Sequence, residues 1–139
     1  MIILDTNVVS ELMKPAPAKP VVGWVALQSP TSLYTTAITE AEILHGVLLL
    51  PAGRRRSRLQ TAAETMFIED FGGRVLSFGS DAARAYASIA ADRRRAGRPI
   101  SHFDAQIAAI GRSARAAIAT RNTSDFVACG VRLINPWLD

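Results

Sequence analysis

Four stretches of the sequence place carboxylates where they could act together. Asp5 follows an apolar run in "MIILDTNVVSEL", Glu42 lies in "AITEAEILHGV", Asp104 in "ISHFDAQIAAI" and Asp125 in "ATRNTSDF", three residues after Asn122. A cluster of oxygen ligands suits a hard divalent ion such as Mg²⁺ or Mn²⁺, which keeps several waters and binds substrate phosphates. Zinc is a poor match, because Cys129 is the only thiol and His45 and His102 lack ligand spacing. Each acid also has an ordinary explanation. Asp5 could cap a helix, Thr39-x-x-Glu42 and Ser101-x-x-Asp104 read as capping boxes, and Asp125 could cap the turn before Val127. Asp104 strains its explanation. With Ile107, Ala108 and Gly111 it falls at i, i+3, i+4, i+7, the stripe that should face a sheet. A buried charge there needs an arginine or a bound ion beside it, since both lysines lie in the 14–20 loop.

The elements that must position these acids alternate in type. Short apolar runs at 2–4, 32–36, 74–78, 116–120 and 131–134 read as strands. Helical spacing is expected over 6–13, 21–28, 37–50, 54–71, 80–97 and 101–114, with "KPAPAKP" as punctuation after the first helix. Strands alternating with helices argue an α/β fold with a parallel sheet covered on both faces. Ligands bind such sheets outside the carboxyl ends of the strands. Asp5, Glu42 and Asp125 follow strands and so point to that edge. Asp104 lies in the first turn of a helix that leads into a strand, and its end is less determined. No linker, repeat or low-complexity tract interrupts the 139 residues, which are expected to form a single domain over 1–139.

The balance of charge is +4, carried by 14 Arg and 2 Lys. Arginine pairs bidentately with phosphate, so a polyanionic partner and a GC-rich genome explain the excess equally well. Position separates the clusters. Arg93, Arg94, Arg95 and Arg98 end a helix, where positive charge suits the helix dipole. Arg54, Arg55, Arg56 and Arg58 start one, where it does not, so phosphate or an acidic stretch of partner is expected there. Trp24 and Trp137 read as core or interface anchors, and Cys129 as a buried filler. A lone cysteine excludes an intrachain disulfide and suits a reducing cytoplasm. No secretory signal and no membrane span of about 20 apolar residues are expected.

Taken in order, "LDTNVVSEL", "AITEAEILHGV", "ISHFDAQIAAI" and "ATRNTSDF" resemble the motif series of PIN-domain ribonucleases, and most closely the VapC and FitB toxins of type II toxin–antitoxin pairs. The resemblance covers nearly the whole chain, down to the closing "NPW". It implies a three-layer fold with a five-stranded parallel sheet flanked by helices. It implies that Asp5, Glu42 and Asp104 form a metal site, with the 120–126 turn as the fourth corner. It also implies an RNA substrate, a cognate antitoxin, and a homodimer or a dimer within a toxin–antitoxin hetero-oligomer.

On that basis the expected chemistry is metal-assisted hydrolysis of a phosphodiester. Asp5 and Asp104 are the expected ligands, Glu42 a ligand or an orienter of the attacking water, and Thr6 and Thr120 hydrogen-bonding supports. The fourth acid is open. Asp125 could supply it, while position 122, where some relatives carry Asp, is Asn. A haloacid-dehalogenase-type phosphatase would need a second Asp at position 7, which is Asn, and a receiver domain would need a lysine after a late strand. The remaining rival is a PIN-like domain with an inert pocket, binding nucleic acid or a partner.

Overall fold

The computed structural model describes residues 1–139. Its strands are β1 (Ile2–Leu4), β2 (Leu33–Thr36), β3 (Val75–Leu76), β4 (Ala117–Ala119) and β5 (Leu133–Ile134). Its α-helices are α1 (Thr6–Leu12), α2 (Lys19–Ala26), α3 (Ala37–Leu48), α4 (Arg54–Thr65), α5 (Ser80–Arg95) and α6 (His102–Ala114). All strand pairs are parallel, in the order β3-β2-β1-β4-β5. The chain therefore leaves β1 toward β2 on one side and returns to pair β4 on the other. That reversal is the switch point at which open α/β sheets bind ligands.

Alternation along the central strands builds the two faces. Ile3 and Ile118 enter a core with Ile89 of α5 and Ile107 and Ile110 of α6. Their neighbours Leu4 and Ala119 enter the other core, with Val8, Val9, Trp24, Ile43 and Phe67. Successive strand residues point to opposite faces, so the expected three-layer, five-stranded parallel fold is realised. Close packing of α6 on β4 depends on Gly111. A Cβ there would lie 3.0 Å from Ile118 Cδ1 and 3.2 Å from Cγ1.

Several boundaries differ from expectation for local reasons. α2 starts two residues early because Pro20 sits in its first turn, where the missing N–H has no partner to lose. The helix expected over 54–71 leaves α geometry at Met66 and finishes as a π turn to Asp70. β3 and β5 keep only two residues each. They are the outer strands, and burial is only partial at both. Trp24 is a core residue, while Trp137 is half-buried beneath Arg121, whose Cζ lies 5.1 Å from the ring centroid. Glu11 is a structural acid that the residue pattern did not mark. It accepts from Lys14 Nζ and from the Ala18 backbone N–H, both at 3.0 Å, and ties down the loop before α2.

Candidate functional site

Asp5 stands one residue beyond β1, and its backbone N–H still bonds Ala119 of β4 at 3.0 Å. It is 4% exposed. Its Oδ1 accepts from Thr6 N at 2.8 Å, so Asp5 does cap α1 as its ordinary explanation required. Its Oδ2 accepts from the Thr120 hydroxyl across the switch point at 2.8 Å and from the Asn7 amide of α1 at 3.3 Å. Thr120 in turn accepts from Asn122 N at 3.1 Å, and Asn7 Oδ1 accepts from Arg121 N at 3.2 Å. The first and fourth motifs are thereby locked to each other. Asn7 was not among the expected supports, because its role depends on the β1–β4 pairing, which local spacing does not reveal.

Glu42 reaches the same edge by a different device. The expected Thr39-x-x-Glu42 capping box is absent. Thr36, at the end of β2, caps α3 by accepting from Thr39 N at 3.1 Å. Ala37 is thus the first helical residue, and Glu42 belongs to the second turn. Its Oε1 accepts from the Thr6 hydroxyl at 2.8 Å. Thr6 Oγ1 lies 3.0 Å from Thr39 Oγ1, which receives the Thr36 hydroxyl at 3.4 Å. One proton per hydroxyl fixes the direction of this chain: Thr36 to Thr39 to Thr6 to Glu42. Hydroxyl chains of this kind strengthen cooperatively and hold their terminal acceptor in one orientation.

Asp104 sits in the first turn of α6, capped as expected by Ser101, whose Oγ accepts from Asp104 N at 3.2 Å. Ile107, Ala108 and Gly111 below it are buried, and Asp104 itself is half-buried at the open end of that stripe. Asn122 and Asp125 lie in the turn after β4, which includes a short 3-10 segment, Thr123–Phe126. Both are exposed. The charge of Asp125 is felt at Asp104, whereas the Asn122 side chain makes no hydrogen bond.

No ion pair neutralises the edge directly. The three ion pairs of the molecule, Lys14–Glu11, Arg84–Asp81 and Arg95–Asp92, involve none of these acids. Burial pushes the Asp5 carboxyl from 3.8 up to about 6; donation from Thr120 and Thr6 opposes this, and the charges of Asp104 and Glu42 add to it. Burial also raises Asp104, with the help of Asp125 and against the Ser101 hydrogen bond and the charge of Arg93. No three acidic, His or Cys side chains close into a metal cage. A donor set of spaced, oriented carboxylates fits an ion that takes one or two of them and completes its shell with water and phosphate.

The cation expected beside Asp104 is Arg93, at one remove. It is 7% exposed, so the dipole at the end of α5 does not account for every member of the Arg93–Arg98 cluster. Its signal was present in the sequence: Ala82, Ile89 and Arg93 fall at i, i+7, i+11, one stripe of α5, and all are buried.

A three-layer fold with a five-stranded parallel sheet and carboxylates at its switch point agrees with the PIN fold. The PIN-domain family model matches residues 2–128, and the chain belongs to that family. It is 43% identical over 137 residues to the VapC ribonuclease Y4jK of Sinorhizobium fredii, covering 99% of this chain and 98% of that one. It is 38% identical over 139 residues to the toxin FitB of Neisseria gonorrhoeae, covering both fully. The crystal structure of FitAcB from Neisseria gonorrhoeae superposes with a TM-score of 0.93 at 37% identity, again over the whole of both chains.

Proposed function

We propose that this chain is a divalent-metal-dependent ribonuclease and the toxin of a type II toxin–antitoxin pair, folded as a single PIN domain over residues 1–139. The observation that carries the proposal is Asp5: a buried carboxylate at the switch point, held on both oxygens, with no cation of the protein beside it. Asp5 and Asp104 would hold Mg²⁺ or Mn²⁺, and Glu42 would complete the set. When bound, such an ion offsets charge on the phosphodiester and makes water a better nucleophile. The chain's own residues supply orientation. Thr120 and Thr6 N–H fix the Asp5 carboxylate, and the Thr36–Thr39–Thr6 hydroxyls aim Glu42. Glu42 Oε2, uncommitted in the hydrogen-bond network, would be free to bind the ion or to orient the attacking water.

The partner reading draws on the same edge. A groove of about 410 Å³ runs from Glu42 between α1, α3 and α4, with Met13, Val47 and Leu59 on its apolar side and Arg55 on its rim. An antitoxin segment filling it would lie against Glu42 and restrain it. No helix is long and apolar enough to cross a membrane, and we place the pair in the cytoplasm. Its assembly would be a homodimer or a dimer within a toxin–antitoxin hetero-oligomer. Expression of this chain alone should arrest growth with loss of RNA, and co-expression with the protein encoded beside it should relieve the arrest. Harmless expression at high soluble level would count against the toxin role.

Calorimetry separates the two candidates for the fourth corner. Asp125→Asn should weaken Mn²⁺ binding, by up to about tenfold, because its charge already reaches Asp104. Asn122→Asp should tighten binding, because its backbone lies one hydrogen bond from the Thr120–Asp5 pair. Unchanged binding in Asp125→Asn would remove that residue from the site.

A further inference from the structure

The buried guanidinium of Arg93 has no carboxylate in contact, which is an expensive arrangement unless its buried donors are hydrogen-bonded. Its donors go to backbone instead. Nε donates to the Arg98 carbonyl at 2.7 Å, and one terminal nitrogen to the carbonyls of Asp125 at 3.0 Å and Val127 at 2.9 Å. The same nitrogen lies 3.7 Å from the Cys129 sulfur. These contacts fall on two separate segments. Arg98 belongs to the connection that delivers Ser101 and Asp104 to the start of α6. Asp125 and Val127 belong to the turn of the fourth motif.

The first is also joined to α5 by the Arg98 N–H, which donates to the Arg93 carbonyl at 2.9 Å; the second has little local support. The 3-10 segment Thr123–Phe126 has no side-chain cap. Beyond it the backbone enters the left-handed region at Ala128 (φ 63°) and Gly130 (φ 76°), and a residue with a Cβ holds that conformation only under external constraint. On its other side the turn is fixed by Asn7 and Thr120, through the N–H groups of Arg121 and Asn122. Arg93 supplies the matching constraint at the far end.

We infer that Arg93 is a positioning residue of the acidic edge: its planar fork ties the 98–101 connection to the 125–127 turn and so holds Asp104 and Asp125 beside each other. The catalytic consequence rests on the ribonuclease reading above, but the clamp itself does not. A lysine cannot replace it, because an ammonium on a flexible stem does not present donors in a fixed fork to two segments at once.

The test uses Arg93→Met, which keeps the buried stem, and Arg93→Lys, which keeps the charge, both assayed where the protein is fully folded. Metal-free hydrogen exchange is read first. Amides of 122–129 should exchange at least about tenfold faster in both variants, with β1 and β4 amides unchanged. In RNA cleavage with Mn²⁺, kcat should fall roughly 10- to 100-fold with KM for RNA nearly constant. Arg93→Ala should regain part of its activity with added guanidinium ion and none with methylammonium. Wild-type exchange across 122–129 in Arg93→Met would overturn the clamp, as would a loss of activity that merely follows the unfolded fraction. If the wild-type protein fails to cleave RNA while the exchange change is seen, the clamp stands and the ribonuclease reading falls. Should Arg93→Met lose cooperative unfolding, the comparison is carried by Arg93→Lys.

Discussion

Asp104→Asn is expected to lower RNA cleavage by at least ~100-fold, since residues that only support a metal ligand already cost 10- to 100-fold when changed. The fold should survive. Ser101 caps α6 through the Asp104 backbone N–H, not through its carboxylate, and the side chain is half-buried at the open end of the helix. Replacing it by a neutral isostere also removes a charge that repels Asp5 and Asp125. Denaturant midpoints should therefore be unchanged or slightly raised. A variant that unfolds, or one that cleaves normally, would return Asp104 to a purely structural role.

The second large effect is on stability, and its sign follows from burial of Asp5. Its carboxyl is raised in the folded protein from 3.8 to about 6, so between these values the folded state binds more protons than the unfolded one. Stability therefore falls as pH rises through that window and levels off above it. A shift of this size corresponds to something on the order of 2–3 kcal/mol. Asp104, raised for the same reason, acts in the same direction. Glu11 acts oppositely: its Lys14 and Ala18 partners lower it, so the stability it contributes is lost only as pH falls below 4.5. Metal-free protein should accordingly resist urea better at pH 5 than at pH 7.5. Asp5→Asn should remove most of that difference and be the more stable protein at pH 7.5. Mn²⁺ at 100 times its dissociation constant should restore about 2.7 kcal/mol to the wild type and little to Asp5→Asn. A wild type that is weakest at pH 5 would contradict the buried, uncompensated state of Asp5.

Much of this was legible in the residues because it is local or periodic. The run Ile2–Leu4 reads as a buried strand, its next residue is a carboxylate, and the Asp104–Gly111 spacing shows which face of α6 meets the sheet. Gly111 then packs against Ile118 as that spacing requires. What was not legible depends on which strands become neighbours. The order β3-β2-β1-β4-β5 puts Asp5 beside Thr120, 115 residues apart in sequence, and the Thr36–Thr39–Thr6 hydroxyl chain needs β2 and α1 in place before it exists. Glu42 was misassigned to a first turn because two threonines compete for one cap. The strand carries Thr36 to the helix start, and Thr39 is turned inward instead. Arg93 was hidden by its neighbours, since a run of arginines at a helix end is explained by the dipole even when one member lies on the buried stripe.

Cleavage of labelled RNA by protein freed of metal with EDTA, then resupplied with Mn²⁺, tests the central claim most directly. The acid cluster at the switch point should be silent in chelator and active once the ion returns, and Asp104→Asn should stay silent in both conditions. Full cleavage in chelator, or equal rates for the wild type and Asp104→Asn, would show that the reaction does not run through these carboxylates and a divalent ion.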